Sequence, residues 1–345
     1  MGIETSCDET AVAIVTEDKH ILANLVLSQQ EHIEFGGVVP EIAARAHLSH
    51  IDEMVGSALQ ESGLTFTDLD AIAVTAGPGL IGGVLVGAIT AKAIAAVHNL
   101  PLIAVNHLEG HALTVRLSHD VTFPYLLLLV SGGHCQLLIV ENIGKYKKLG
   151  STLDDAVGEA FDKTAKLLGL GYPVGPQVEK LALTCDDEAG ALEKFPLPKP
   201  LLGKNNCDFS FSGIKTAVKR FVDRLPNGIA AQDAAAICYS FQHSVSKVIE
   251  DRTLRAVKEY LRLYPEHPAP TLVVAGGVAA NQVLRKTLET IAVNYGMNFA
   301  APPLKLCTDN AVMIAWAGME KFLIGQSSEK DFPILPRWPL ESLSE

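Results

Sequence analysis

Gly2-Ile-Glu-Thr-Ser-Cys-Asp-Glu-Thr10 and the apolar segment Ala11-Val-Ala-Ile-Val15 predict a strand, a tight polar turn and a returning strand. The predicted tip of this hairpin carries hydroxyl and carboxyl groups. A second hairpin of the same form is predicted where Tyr125-Leu-Leu-Leu-Leu-Val130 and Cys135-Gln-Leu-Leu-Ile-Val140 flank the turn Ser131-Gly-Gly-His134. Strands and helices alternate around both hairpins. This internal duplication indicates a mixed α/β layer architecture.

The bulk composition indicates a large, well-buried protein. A chain of 345 residues with 48% hydrophobic residues is expected to form two domains or lobes. The most apolar run, 80–97, is interrupted by glycines and Lys92, so we expect a core helix and no membrane partner. The 6 cysteines are scattered without a Cys-x-x-Cys pair. They favour reduced thiols and exclude a cysteine-based zinc site.

The net charge of −11 excludes a general polyanion binder. Any contact with nucleic acid must therefore come from a local basic patch or from a partner, and its affinity should depend on salt. Solvated helix faces would show the same pattern of charge. The candidate basic residues, at helical spacing, are Lys215, Lys219, Arg220 and Arg224, followed by Arg252, Arg255, Lys258 and Arg262.

Two histidines in the run Asn106-His-Leu-Glu-Gly-His111 indicate a metal site. Residues four apart on a helix share a face, so His107 and His111 would present their imidazoles together. Glu109 would point about 200° away, which separates the run from the His-Glu-x-x-His zinc proteases. Two unrelated helix histidines would give the same spacing. Asp309, before a predicted apolar helix, is either an N-cap or a third ligand that leaves open positions on iron, zinc or manganese.

Three short glycine or hydroxyl turns follow predicted strands, near residues 5–10, 131–134 and 276–281. Successive backbone N–H groups in such turns can bind anions. A single turn of this kind is usually only a turn. Together, the three turns would surround the phosphate and the adenosine of a nucleotide that binds between two lobes. None has the form of a P-loop or of a dinucleotide-binding fingerprint.

The motifs in their order resemble the tRNA N6-adenosine threonylcarbamoyltransferase family, formerly described as O-sialoglycoprotein endopeptidases. The resemblance covers nearly the whole chain, and it implies an actin-like ATPase fold of two duplicated lobes with a helical insertion in the second. Beyond the motifs quoted above, it rests on Gly36-Gly-Val-Val-Pro-Glu41, Ala76-Gly-Pro-Gly79, Glu159-Ala-Phe-Asp-Lys-Thr-Ala-Lys166, Asp208-Phe-Ser-Phe-Ser-Gly213, Ala275-Gly-Gly-Val278 and Cys307-Thr-Asp-Asn310.

The resemblance implies transfer of a threonylcarbamoyl group from threonylcarbamoyl-adenylate to N6 of adenosine 37 in tRNAs that read ANN codons, with release of AMP. It implies one divalent ion, iron or zinc, on His107, His111 and Asp309. Asp8 and Glu9 are the candidates to accept a proton from the attacking amine, although acids at a turn can simply cap the backbone. The residues expected to contact the adenylate are Leu129, Val130, Ser131, Gly132, Gly133, Asp162, Gly175 and Asn281.

The runs His111-Ala-Leu-Thr-Val-Arg116 and Gly133-His-Cys-Gln136 resemble the mitochondrial branch of the family more than the bacterial one, which implies a homodimer in mitochondria. A cytoplasmic protein with small accessory partners is the alternative. Val174 replaces a glycine usual in bacterial members, and the short first strand suggests a trimmed or processed N-terminus. A separate synthase would supply the adenylate. The expected division is an N-terminal lobe over 1–118, a C-terminal lobe over 119–324 with an insertion near 151–228, and a tail over 325–345 that packs back.

Two other classes of function remain open at this point. A metalloprotease, as the older family name suggests, would lack a base beside its first histidine and would have no use for the glycine turns. A kinase-like ATPase or an ATP-binding scaffold of the same fold would have no role for two histidines and Asp309, because such enzymes hold Mg²⁺ through phosphates and carboxylates.

Overall fold

The computed structural model of the chain describes residues 1–29, 32, 37–170, 174–225 and 228–344. Gly36, at the start of one resemblance motif, lies outside the described residues, as do Tyr172 and Pro173 before Gly175.

Strands and helices alternate along the described residues as the sequence predicts. The strands are β1 (Gly2–Glu4), β2 (Glu9–Val15), β3 (Ile21–Ser28), β4 (Ile72–Gly77), β5 (Leu102–Asn106), β6 (Tyr125–Val130), β7 (Cys135–Asn142), β8 (Lys145–Ser151), β9 (Thr271–Ala275) and β10 (Asn298–Ala300). The helices are α1 (Pro40–Ser62), α2 (Ile81–His98), α3 (His107–Ser118), α4 (Val157–Leu167), α5 (Val174–Ala182), α6 (Glu188–Lys194), α7 (Ser212–Val222), α8 (Ala231–Leu263), α9 (Gln282–Asn294) and α10 (Ala311–Leu323).

The strands form two five-stranded sheets with the same topology. The first has the order β3-β2-β1-β4-β5, and the second has the order β8-β7-β6-β9-β10. In each sheet the hairpin strands pair antiparallel, whereas the later strands join parallel. Parallel strands need helical crossovers, which is why helices alternate with β4, β5, β9 and β10. The duplicated hairpins that the sequence predicts are therefore present, each at the centre of its own sheet.

The chain divides into two compact units. Unit 1 comprises 1–120, 142–146 and 308–345, and unit 2 comprises 121–141 and 147–307. The prediction placed the end of the C-terminal lobe at residue 324. Unit 2 instead ends at residue 307, because α10 belongs to unit 1. The predicted insertion near 151–228 lies in unit 2 and contains α4 to α7.

Small residues bring α10 onto the first sheet. A Cβ added to Gly2 of β1 would lie 2.5 Å from the Ala315 backbone nitrogen, and one added to Gly318 would lie 2.3 Å from the Ala73 Cβ. Only glycine permits backbone and side chain to approach so closely. The packing of α10 therefore depends on residues at opposite ends of the chain, which local sequence patterns do not reveal.

Helix α2 has one packed face and one exposed apolar face, whereas the sequence predicted a core helix. Among the described residues it is the one helix long and apolar enough to cross a membrane, with 33% of it buried. Its glycines pack: a Cβ on Gly83 would lie 2.4 Å from the Thr5 carbonyl oxygen. On the other face Ile81, Leu85 and Ile89 are exposed.

The candidate basic patches are largely paired with acidic groups. Arg252 is fully buried, and its guanidinium donates to the Asn206 carbonyl oxygen at 2.9 Å. The second predicted patch is therefore wrong at this position, because Arg252 lies on the core side of α8. Lys215 and Lys219 form ion pairs with Asp155 and Asp223, at 3.2 and 2.9 Å.

Candidate active site

The predicted metal ligands lie together in unit 1. His107 is the first residue of α3, directly after β5, and the Asn106 side chain caps this helix by accepting from the Leu108 amide at 2.9 Å. His111 follows one turn later, and the two imidazole centroids are 4.9 Å apart. Asp309 directly precedes Asn310, whose side chain caps α10. Asn310, and not Asp309, is therefore the N-cap.

The donor atoms of this trio are close enough to bind one ion. The ligand atoms of His107, His111 and Asp309 all lie within 4.8 Å of one another. Nε2 of His111 is 3.1 Å from Asp309 Oδ1, and Nε2 of His107 is 3.5 Å from the same oxygen. Two imidazole nitrogens with one carboxylate oxygen suit a divalent transition metal with open coordination positions. The residues present thus fit the ion that the family implies.

The electrostatics of the trio show how strongly its members interact. Burial alone would raise the pKa of Asp309, but the His107 charge and hydrogen bonds from both histidines hold it well below its ordinary value. Burial would likewise lower the pKa of His107, yet the charges of Asp309 and Glu4 raise it well above the ordinary value. Without a metal, the half-buried Asp309 carboxylate is therefore compensated by a proton on His107. A cation can take that role.

Glu4 is a neighbour of this trio that the sequence analysis did not single out. Its Oε2 lies 3.0 Å from His107 Nδ1, on the opposite side of the ring from Asp309. Glu4 is 1% exposed. The one available signal was a carboxylate within a strand that is otherwise apolar.

The predicted proton acceptors lie at the tip of the first hairpin. Asp8 precedes β2 and Glu9 begins it, and both are half-buried. Burial, followed by the charges of Asp309 and Asp8, raises the pKa of Glu9 to about 9. Burial and the neighbouring carboxylates therefore favour the protonated form of Glu9. A cation near Asp309 would oppose one of the causes of that shift.

Glycines of α2 and its preceding loop hold this hairpin tip in place. A Cβ on Gly87 would lie 2.3 Å from Thr5 Oγ1, and one on Gly79 would lie 2.6 Å from the Ser6 carbonyl oxygen. The hydroxyl of Thr5 donates to the Gly83 carbonyl oxygen at 2.8 Å. The glycine-rich start of α2 thus supports the segment that carries Asp8 and Glu9.

Unit 2 contains a cavity of about 290 Å³ that includes four of the predicted adenylate contacts. Those four are Gly132, Asp162, Gly175 and Asn281. Leu129 and Val130 are buried within the paired strand β6 and do not line the cavity. Gly133 and Ser131 belong to the same turn and do not line the cavity. Further lining residues are Gly158, Phe161, Pro176, Glu179, Gly277, Val278 and Ala280.

Close backbone contacts shape this cavity. Gly276 has a φ of +95°, and a Cβ there would lie 2.3 Å from the Val130 carbonyl oxygen. Gly158 is equally constrained, because its Cβ would lie 2.6 Å from the Ser131 carbonyl oxygen. The glycine turns after β6 and β9 therefore meet at one edge of the second sheet, as the sequence predicted for a ligand site. The carboxyl ends of the parallel strands lie at this edge, where α/β proteins commonly bind ligands.

Two polar side chains of the cavity have structural partners as well. Asn281 caps α9, because its Oδ1 accepts from the Leu284 amide at 3.0 Å, and its amide donates to Gln242 at 2.9 Å. Glu179, missed by the sequence analysis, accepts from the Gln282 amide at 2.7 Å.

Asp162 is half-buried, and burial raises its pKa. A Cβ on Gly175 would lie 3.9 Å from Asp162 Oδ1, so these two residues are neighbours.

Known proteins match the whole chain. Residues 20–316 match the family model TsaD, described as tRNA N6-adenosine threonylcarbamoyltransferase. A protein of that name from Paramagnetospirillum magneticum is 56% identical, with 99% of this chain and 96% of the relative covered. The Rhizobium meliloti relative of the same name is 53% identical, with 99% and 95% covered.

Two solved structures are similar in fold at low sequence identity. T. kodakarensis HypF is 13% identical with a TM-score of 0.60, over 94% of this chain and 48% of that one. The activator of the 2-hydroxyisocaproyl-CoA dehydratase from Clostridium difficile is also 13% identical, with a TM-score of 0.51 over 94% and 95%. At this identity they show the fold alone. It is the actin-like ATPase fold with duplicated lobes, as the resemblance implied.

Proposed function

This chain belongs to the TsaD family of tRNA N6-adenosine threonylcarbamoyltransferases, and we propose that it binds a metal ion at His107, His111 and Asp309 and the adenylate around Asp162 and Asn281. The enzyme transfers the threonylcarbamoyl group from threonylcarbamoyl-adenylate to N6 of adenosine 37 in tRNA and releases AMP. The observation that carries the proposal is the convergence of two imidazoles and a carboxylate from distant parts of the chain.

The metal would supply Lewis acidity to the carbonyl or carboxylate oxygens of the threonylcarbamoyl group. His107 and His111 would hold it through Nε2, and Asp309 through a carboxylate oxygen. Two nitrogen ligands and one oxygen ligand favour iron or zinc over magnesium. Metal analysis of the purified protein and of a His107→Ala variant tests this assignment. Loss of the metal from the variant supports it, and equal metal content in both contradicts it.

The reaction also requires a proton to leave the attacking amine. N6 forms a bond to the carbamoyl carbon, the bond from that carbon to the phosphate oxygen of AMP breaks, and one amine proton must be accepted. Asp8 and Glu9 are the candidates because they share a half-buried hairpin tip in the same unit as the metal ligands. Because burial and the charges of Asp309 and Asp8 favour the protonated form of Glu9, we assign the acceptor role first to Asp8. Asp8→Asn should lower kcat more than Glu9→Gln does.

The cavity of unit 2 is proposed to bind the adenosine part of the donor. Its glycine turns expose backbone N–H groups, and Asp162 can accept a hydrogen bond from a ribose hydroxyl. The dehydratase activator of similar fold was solved with bound ADPNP. Calorimetric titration with AMP should show about tenfold weaker binding to Asp162→Ala, with the exposed Asp186→Ala as the matched control. Equal binding by both variants would contradict the role of Asp162.

The test of the whole assignment is transfer of labelled threonine into unmodified tRNA. The assay contains ATP, bicarbonate and a separate synthase that makes the adenylate. His107→Ala should abolish the transfer, whereas His119→Ala, an exposed histidine at the opposite end of the same helix, should retain it. Equal activity of the two variants would contradict the metal centre, and no transfer by the wild type would point to missing accessory proteins.

We further propose that a second copy of this chain covers the exposed face of α2. Ile81, Leu85 and Ile89 repeat every four residues and are 63%, 43% and 56% exposed, so they form one apolar stripe. A two-fold axis would bury the same stripe on both copies. Light scattering should give a dimer, and Ile89→Lys should give a monomer while the control Val293→Lys does not. A wild-type monomer would contradict the dimer.

A mitochondrial location stays a prediction, to be tested by immunolocalisation.

A further inference from the structure

Glu4 is a buried carboxylate whose hydrogen bonds all come from residues around the metal ligands. Its Oε1 accepts from the Ser6 amide at 2.5 Å, and its Oε2 accepts from the Thr75 hydroxyl at 2.5 Å. The third partner is Nδ1 of His107, 3.0 Å from Oε2. A carboxylate that is 1% exposed must be well compensated to stay charged. These contacts fix its position on the central strand of the first sheet.

The contact with Glu4 determines which nitrogen of His107 can bind an ion. A carboxylate oxygen only accepts, so Nδ1 must carry the hydrogen that it donates to Glu4. In the neutral ring Nε2 then has the free lone pair. Nε2 is the atom that faces Asp309, at 3.5 Å. Ser6 Oγ lies 3.1 Å from the same Nδ1 and can accept or donate, so it does not select a tautomer alone.

His111 lacks an equivalent support. Its Nε2 approaches Asp309 at 3.1 Å, but its Nδ1 is buried with no hydrogen-bond partner in the described parts of the chain. The two proposed ligands are thus held differently, although they lie one turn apart on the same helix. Only His107 has a carboxylate behind it.

We propose that Glu4 is the positioning residue of the metal centre: it holds His107 with Nδ1 protonated and Nε2 directed at the ion, and it strengthens His107 as a ligand. Carboxylates behind metal-bound histidines fix ring orientation and increase ligand basicity. This inference rests on the proposed metal centre. Glu4 itself does not touch the ion or the substrate.

The test measures metal affinity rather than turnover. Metal-stripped protein is titrated with Co²⁺, and its visible absorption reports both the affinity and the ligand geometry. Glu4→Gln keeps the shape but can present an amide N–H to His107, which would place the hydrogen on Nε2. We expect its Kd for Co²⁺ to rise about 10- to 100-fold, with an altered spectrum at saturation.

Two further variants separate positioning from charge and from stability. Glu4→Asp keeps the charge but withdraws the carboxylate from His107, so it should also weaken Co²⁺ binding, by about tenfold. Glu109→Gln is the matched control, because Glu109 is an equally buried carboxylate on the ligand helix that contacts Gly144, Tyr146 and Lys321 instead. It should reduce thermal stability while leaving the Co²⁺ affinity close to that of the wild type.

The outcomes distinguish failure of this inference from failure of the metal centre. Wild-type affinity in Glu4→Asp, even where Glu4→Gln is weakened or fails to fold, would overturn positioning and leave only a charge effect. An equal loss of affinity in Glu109→Gln would also overturn it, since stability would then be the cause. If His107→Ala binds Co²⁺ as the wild type does, the metal centre itself is misassigned, and the positioning role falls with it.

Discussion

The two candidate sites occupy units of the same topology but are supported by different kinds of interaction. Around the metal ligands of unit 1, buried charged groups form the support: Glu4 contacts His107, and Glu109 on the same helix pairs with Lys321 at 2.7 Å. Around the cavity of unit 2, the support comes from glycine turns and the Asn281 cap. A metal centre requires side chains in fixed orientations, whereas a nucleotide site requires accessible backbone. Two sheets of the same topology thus carry different local support, which suits each unit to a different chemistry.

The largest expected effect is on the buried ion pair of unit 1. Lys321→Met leaves the fully buried Glu109 carboxylate without its cation, and should lower the free energy of unfolding by about 3–5 kcal/mol. The exposed pair Lys19–Asp120 is the control, and Lys19→Ala should lower the free energy of unfolding far less. Urea unfolding of both variants measures the difference. Similar losses would show that buried charge is not what supports this unit.

Glycine substitutions near the two hairpin tips should differ in their effect on stability. The Cβ of Gly83→Ala would lie 2.4 Å from the Thr5 carbonyl oxygen, so the first tip or α2 must move, at a cost of about 2–3 kcal/mol. Gly133, in the second tip, has open space around the same position. Gly133→Ala should therefore change stability by less than about 0.5 kcal/mol. Thermal unfolding checks both values, and a neutral Gly83→Ala would contradict the tight packing.

The hairpin tip of unit 1 should also make stability depend on pH. The pKa of Glu9 is raised from 4.5 to about 9, so between these values the folded metal-free protein retains a proton that the unfolded chain releases. Its contribution to stability is complete below pH 4.5 and is lost as the pH rises to about 9. Glu9→Gln should flatten this part of the profile of Tm against pH. An unchanged slope would mean that Glu9 is ionised in the folded protein.

The smallest effect is expected at the cap of unit 2. Asn281→Ala removes the acceptor for the Leu284 amide and the donor to Gln242, and should cost about 1 kcal/mol. Asn281→Asp retains the acceptor and should restore part of the loss. Chemical unfolding of the two variants tests whether Asn281→Ala loses more stability than Asn281→Asp. A larger loss at Asn281 than at Lys321 would reverse the comparison between the units.

Local sequence patterns were sufficient to predict both hairpins and the alternation of strands and helices. Alternating apolar strands around polar turns predicted both hairpins, because side-chain periodicity is a short-range property. The four-residue spacing of His107 and His111 placed both rings on one face for the same reason. The pairing of Asp309 with them depended on its chemistry and on the family resemblance, since no local pattern connects residues so far apart in the chain.

Other features depend on contacts that a single sequence does not display. Glu4 gains its role from Thr75 and His107, which reach it through sheet pairing and the packing of α3. Glu179 reaches the cavity only because α5 packs beside the start of α9. The exposed stripe of α2 was predicted to be core because most of the run is apolar, and only the positions of its glycines mark the packed side. The compartment and the oligomeric state stay predictions.

The composition of unit 1 has a consequence for synthesis on the ribosome. Unit 2 is nearly continuous along the chain and can close once residue 307 has emerged, whereas unit 1 needs its last segment, 308–345. That segment contributes Asp309, and Leu335 donates its amide to the Ala76 carbonyl oxygen next to the hairpin. His111 is therefore synthesised 198 residues before Asp309. The trio His107, His111 and Asp309 can come together only after the whole of unit 2 has been synthesised.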